Sequence, residues 1–292
     1  MKRGRYYLGR VIKINLDQER LMDAITNAPI VSIGRFDWTI TDVIDNRSEE
    51  TPYVFGKLSK YAKEGHATVI DEVSRSQVDA DVPNLLEASS SFIYLPEYSG
   101  VAFLHVWNGI QEDVFPRRFK SIIEAAFDGF FVSCDVEPVS DYRAFTSRLK
   151  KLSYFTEFSA TVHPPNPLFG RLWESLNDYI ESRNASEVTV KEQTSKTKGL
   201  KSRIIELMDR IMDAPEYEPD EPPAIGDAAI LMAADGYGRG KVVGIENGDE
   251  VVIKTSDTQK SFLHDKEPIP EELAVKTKSQ FDKISKERDM KH

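Results

Sequence analysis

Cysteine is almost missing from this chain: Cys134 is the only one in 292 residues. One thiol cannot close an intramolecular disulfide, and a cysteine-based metal site needs at least two thiolates. Cys134 follows Phe130-Phe131-Val132-Ser133, an apolar strand pattern in which it is expected as a small buried hydrophobe. Long hydrophobic runs are missing as well. None approaches eighteen residues, which excludes a membrane-spanning helix. The N-terminus begins basic, with Lys2, Arg3 and Arg5, but lacks the apolar core of a secretory signal. The expected location is cytoplasmic, without a membrane partner.

Catalytic signatures are also lacking. The sequence has no Gly-x-x-x-x-Gly-Lys-Ser/Thr, no Gly-x-Ser-x-Gly and no His-Glu-x-x-His. Gly236-Tyr237-Gly238-Arg239-Gly240 is glycine-rich but opens a strand rather than a helix, so it is no dinucleotide fingerprint. No two of the five histidines have ligand spacing. No cofactor is expected, and the balance leans against an enzyme. One weak alternative is a metal-dependent nuclease. Asp135 and Glu137 would share one strand face and could hold a divalent ion; carboxylates ending an exposed strand are the ordinary reading.

Basic charge is in deficit, with a net charge of −10, so no uniform nucleic-acid-coating surface is expected. Local clusters exist all the same. Lys2, Arg3, Arg5, Arg10 and Lys13 have no acidic counterweight. Lys191, Lys196, Lys198, Lys201 and Arg203 are opposed only by Glu192, and Arg148, Lys150 and Lys151 form a third group. Such clusters are ordinarily solvated faces; phosphate contact is the functional reading.

What is present is core material: 40% of the residues are hydrophobic, enough to fold most of a chain of this length. Residues 6–15 alternate as a strand near a sheet edge. Residues 36–44 and 53–61 make a long hairpin around 46–50, with Gly56 as a bulge or a close backbone approach. A strand near 68–70 gives way to irregular chain, and 91–106 is a second hairpin. Beyond it, helices at 114–127, after Ser140, at 168–180 and at 200–211 alternate with strands at 130–137, 154–162 and 188–190. That alternation predicts βαβ-type units. The fold class expected is mixed α/β, with parallel and antiparallel strands in one sheet and amphipathic helices against it.

Composition shifts at residue 213. The expected organisation is a main domain over 1–212, an acidic proline-rich linker at 213–223, a small β-hairpin unit at 224–265 and a charged tail at 266–292, whose residues 273–292 form a frayed helix or are disordered. Asn247-Gly248 between alternating strands is the hairpin cue in the third segment.

Two local motifs are candidate ligand sites. In His163-Pro164-Pro165-Asn166-Pro167 the prolines force an extended exit from a strand, and Asn166 can cap a helix whose free N–H groups would hold an anion beside His163 and Arg171. The plain alternative is an ordinary helix start. In Asp235–Gly240 the glycines either form a tight turn or admit a ligand backbone, with Arg239 and Lys241 as phosphate partners. Arg117, Arg118 and Lys120, at the start of the 114–127 helix, are further candidate contacts.

Several runs occur in a telling order: Tyr53-Val54-Phe55-Gly56-Lys57-Leu58, the Phe92–Val106 hairpin, Phe115-Pro116-Arg117-Arg118-Phe119, the Pro-Asn-Pro at 165–167, and Ala233-Ala234-Asp235-Gly236-Tyr237-Gly238. Together, over most of residues 5–265, they resemble a bacterial family numbered 4747 in the unknown-function series. The resemblance implies a setting near mobile elements and defence genes, hence anti-phage immunity, and transfers no active site. The leading expectation is therefore a non-enzymatic bacterial defence component that recognises nucleic acid or another phage-derived ligand. An oligomeric scaffold or protein-interaction adaptor is the other alternative, after the nuclease.

Overall fold

The computed structural model describes residues 2–48, 51–128, 131–165, 167–195 and 198–291. In chain order the first elements are β1 (Arg3–Ile14), α1 (Gln18–Thr26), β2 (Val31–Ile33), β3 (Phe36–Asp45), β4 (Val54–Asp71), β5 (Ser76–Leu95) and β6 (Gly100–Leu104). Then come α2 (Val114–Ala125), β7 (Ser133–Pro138), α3 (Tyr142–Leu149), β8 (Tyr154–Val162), β9 (Phe169–Gly170), α4 (Glu174–Ser182) and β10 (Val188–Gln193). The chain ends with α5 (Ile204–Asp213), α6 (Ile225–Met232), β11 (Gly238–Glu246), β12 (Asp249–Lys254), β13 (Ser261–Asp265), α7 (Pro270–Glu287) and β14 (Met290–Lys291).

The long strand β1 organises the molecule. Tyr6, Leu8 and Ile12 enter one hydrophobic core and Val11 enters another, as the period of two requires. β1 sits inside an eight-stranded sheet of order β13-β1-β6-β5-β4-β3-β2, with β7 also paired to β1. The alternation of β1 was expected near a sheet edge. Instead Arg10 is fully buried, and both edges of the strand are used. Helices α1 and α2 cover one face of this sheet with Leu21, Met22, Ile25, Phe115, Phe119 and Ile122. The second core lies on the other face, with the four-stranded sheet β10-β8-β11-β12.

All paired strands among the described residues are antiparallel, which corrects the expected mixture of parallel and antiparallel pairing. The alternation of helix and strand was real, but β7 pairs with β1, and β8 and β10 pair antiparallel in the other sheet. β6 and β7 both run antiparallel to β1, on opposite edges, because Gly9 and Arg10 pair with both. Helix α2 therefore crosses over with β1 between the two strands it connects. The next strand, β8, leaves this sheet for the other one.

The C-terminal third is woven into both sheets. β11 pairs with β8, and β13 pairs with β1, so 224–265 is not folded apart as the small β unit expected there. Helix α6 is buried on every side from Gly226 to Met232, apolar but for Asp227, which accepts from Ser202 Oγ and the Arg203 N–H. The expected charged tail is the 18-residue helix α7. It buries Leu273, Ala274, Thr277, Phe281 and Ile284, a helical stripe that the surrounding charges obscured. Phe281 stacks on Tyr98 at 5.3 Å and occupies the space a Cβ on Gly100 would need. Burying a side chain of that size contributes about 1.5–3 kcal/mol.

The hairpins at 36–61 and 91–106 form as the alternation predicted, and Gly56 is a close approach, to Ile40 and Phe92. The irregular chain expected after residue 70 is a strand. From Glu64 and Pro83 outward, β4 and β5 pair only with one another, making a two-stranded arm that turns at 72–75. Neither face of the arm is covered by the body, and the acidic residues Asp71, Glu72, Asp79 and Asp81 masked the apolar alternation it carries. No helix of the described residues is long and apolar enough to cross a membrane.

Candidate functional site

Charges gather in two places between the sheets. The first is buried. Asp235, 2% exposed, lies just after α6, and three side chains converge on it. Tyr142 Oη and an Arg288 terminal nitrogen donate to Oδ1 at 2.8 and 2.7 Å, and Trp173 Nε1 donates to Oδ2 at 2.7 Å. Arg10 donates to the backbone carbonyls of Asp235 and Tyr98 at 2.8 and 2.7 Å. Arg288 also donates to the Ser140 carbonyl at 2.5 Å and lies 3.8 Å over the Tyr142 ring. This cluster ties β1, the α6–β11 turn and the C-terminus together. Its oxygens are already occupied, so it acts within the fold and not on a ligand.

The second is an open cleft of about 900 Å³ between β1, β7 and the start of α2 on one side and β8, β11 and β12 on the other. Arg5, Arg117, Arg239, Lys241 and Lys254 line it, with Glu112, Asp113, Glu137 and Asp257. Its volume falls in the range of small-ligand sites, about 300–1,000 Å³. Strand register explains the concentration of cations. Across the four-stranded sheet, Lys191, Ser159, Lys241 and Lys254 stand opposite one another in one row. Thr189, Thr161 and Arg239 form the neighbouring row. Opposite residues share a face, and the other face carries Phe158, Ala160, Val162, Val242 and Ile253 into the core.

Each cation is held differently. Arg239 Nε donates to both oxygens of Glu137 at 2.9 and 2.8 Å, and its terminal amino groups have no protein partner among the described residues. Burial pushes the Glu137 carboxyl up, and Arg239 offsets this. Lys241 and Lys191 flank Glu157, at 2.7 and 3.3 Å, and hold its carboxyl below the ordinary range. Arg117 pairs with Asp113 one turn back at 2.7 Å, and Arg5 donates to Ser261 Oγ at 2.9 Å. Lys254 has no acidic partner among the described residues, yet it stands directly opposite Lys241. Like charges directly opposed across a strand pair are destabilising.

Three of the eight sequence candidates therefore come together: Arg117, Arg239 and Lys241. The others do not. Arg118 stacks over Trp38 at 5.1 Å, and Lys120 binds Asp135 at 2.9 Å. His163 is buried against the Ser186 carbonyl at 3.1 Å, and Arg171 binds Asp289 and the Glu216 carbonyl. Asn166 lies outside the described residues. The anion site expected at 163–171 does not form as drawn, because the helix starts at Glu174, after β9 pairs with β14. Ser140 is likewise not a helix cap; Asp141 caps α3, and Ser140 donates to the Thr255 carbonyl. The close approach at Gly238 is to the Thr161 carbonyl of β8, within the fold. Asp135 and Glu137 each already hold a cation, and no cluster of three or more potential metal-binding side chains occurs among the described residues.

Lys254 was within reach of the sequence. A two-residue Asn247-Gly248 turn fixes the register outward from Glu246 and Asp249, and counting back places Lys254 opposite Lys241. Arg5 stood in a basic cluster, but nothing in the sequence says that β1 borders a cleft.

A family model described as a domain of unknown function (DUF4747) matches residues 19–208, more than half of the chain. No curated protein matches it. The matched span includes β7, β8 and Arg117; β1, β11 and β12, which complete the cleft, lie outside it.

Proposed function

The chain belongs to the DUF4747 family, and from that premise and the geometry of the cleft we propose that it binds the phosphate backbone of a nucleic acid between its two sheets. The observation that supports this most is Lys254, which has no acidic partner among the described residues and stands directly opposite Lys241, itself paired with Glu157. Local rules of stability are broken at functional sites and compensated elsewhere. An anion bridging the two lysines converts a repulsion into two contacts. Arg239, anchored by Glu137 and with its terminal amino groups free, supplies the paired donors suited to phosphate. Ser159 and Thr161 add hydroxyls between the cations. Recognition of phage-derived nucleic acid, the setting implied by the family resemblance, is one use of such a cleft and rests on that resemblance. No step here needs chemistry on the ligand, so the reading is of a binding protein.

Anisotropy of labelled DNA and RNA oligomers over a salt series tests it. Binding should weaken as salt rises, and the slope of log affinity against log salt should fall by about one for each cation removed. Absence of binding at low salt would sink the reading.

The β4–β5 arm favours a second reading, a protein-interaction role. Ala67, Val69, Val78, Ala80 and Val82 share one of its faces, with Val69 and Val78 about 40% exposed, and no other strand among the described residues joins them. A second copy of the chain would cover such a face symmetrically. Light scattering that finds a monomer at high concentration would remove that reading.

A further inference from the structure

The cleft continues at one end into a recess of about 160 Å³ bounded by Arg5, Tyr7, His105, Trp107, Gln111 and Glu112. Arg5, Tyr7 and Glu112 border both spaces. We propose that this recess receives an unpaired nucleobase stacked on Trp107, so that the ligand of the cleft is a single strand and not a duplex. The inference rests on the phosphate reading above and specifies the class of nucleic acid.

Trp107 is 78% exposed, whereas Trp38 and Trp173 are 4% and 1% exposed. Its exposure does not reflect a loose loop. Val106 N–H donates to the Ile110 carbonyl at 2.9 Å and Gly109 N–H to the Val106 carbonyl at 3.1 Å, closing a tight turn beneath it. Asn108 takes the left-handed conformation that the turn needs, which asparagine tolerates. The indole is supported from behind: His105 packs edge-on at 4.7 Å, and Tyr7 packs on His105 at 5.9 Å. The three rings lead from the wall of the cleft to the solvent-facing indole.

The floor of the recess is polar and incompletely paired. The His105 side chain is 8% exposed, and its Nδ1 lies 2.7 Å from Glu112 without the alignment of a hydrogen bond. Its Nε2 is buried without a partner among the described residues. A buried ring nitrogen left unpaired is costly, and Gln111 beside it offers a base edge both a donor and an acceptor. Cationic groove and aromatic shelf together are the means by which single strands are held without sequence preference. A duplex keeps its base faces stacked inside and cannot use the shelf.

Because the other tryptophans are buried, quenching of the exposed component of intrinsic fluorescence reports on Trp107. The protein is titrated with oligo(dT), with an abasic oligomer of the same length, and with a duplex. The expected result is that oligo(dT) quenches that component and binds roughly tenfold more tightly than the abasic strand, the size of one base–aromatic stack. Trp107→Phe should keep most of that advantage, and Trp107→Ala should lose it while melting at the wild-type temperature. Equal affinity for oligo(dT) and the abasic strand, or unchanged oligo(dT) binding by Trp107→Ala, would overturn the base site and leave the phosphate reading standing. Failure of every oligomer to bind would overturn both.

Discussion

Arg10 and Arg288 in the buried cluster, and Arg239 and Lys254 in the cleft, are all cations held between the same two sheets, but their surroundings differ. The buried arginines give most of their donors to Asp235, to backbone carbonyls and to aromatic faces, with Arg288 Nε alone among them left without a partner among the described residues. The cleft cations keep donors unused, and two of them face each other across a strand pair. A fully desolvated charge is tolerated only when it is paired and hydrogen-bonded. A solvated one can be left unpaired at small cost, which is the condition for binding something else. Occupancy of donors, more than the presence of arginine, separates the part that holds the fold from the part offered to a ligand.

The largest expected effect lies in the buried half. Asp235→Ala strands Arg288, whose side chain is 1% exposed, and should cost about 3–5 kcal/mol in urea unfolding. A loss below about 1 kcal/mol would erase the contrast. Next comes Arg239→Ala, which should weaken oligomer binding by roughly tenfold or more, as loss of a charge-assisted contact does. It also leaves Glu137 buried without its cation. Adding Glu137→Gln in that background removes the stranded charge; stability should recover and affinity should not. Recovery of affinity would mean that Arg239 acts only through the fold.

Lys254→Ala sharpens the comparison because its two effects should have opposite signs. Relief of the opposed charges should leave stability unchanged or raise it by a few tenths of a kcal/mol, while affinity falls several-fold. The smallest effect is a pH dependence. Glu157 is held below its ordinary pKa, first by Lys241 and then by Lys191, so its contribution is present above that ordinary value and is lost as pH falls through the depressed one. Lys241→Ala should therefore destabilise by less than about 1 kcal/mol at neutral pH, with the gap closing in acid. A gap that persists in acid would point to lost packing rather than to the ion pair.

Much of the local structure was legible in the sequence because alternation and turn residues are local signals. Residues 154–162 and the Asn247-Gly248 hairpin are examples. What was hidden depends on distant partners. Arg10 read as one of a solvated basic group because nothing near it in the chain reveals that Asp235, Tyr98 and Met290 surround it. The parallel pairing failed because β1, distant in sequence, sits between the strands that α2 connects. Arg239 and Lys241 were legible as cations on a strand after a glycine turn, but Trp107 was passed over, since only its exposure distinguishes it from the hairpin residues beside it.

The most direct test of the cleft is photocrosslinking of an oligo(dT) strand carrying 4-thiothymine, followed by peptide mapping. Crosslinks should fall on the 105–107 turn and on β11 and β12, and should disappear in Arg239→Ala. Crosslinks that instead map to α5 or to the β4–β5 arm, unchanged in that variant, would contradict the assignment of the cleft as the binding site.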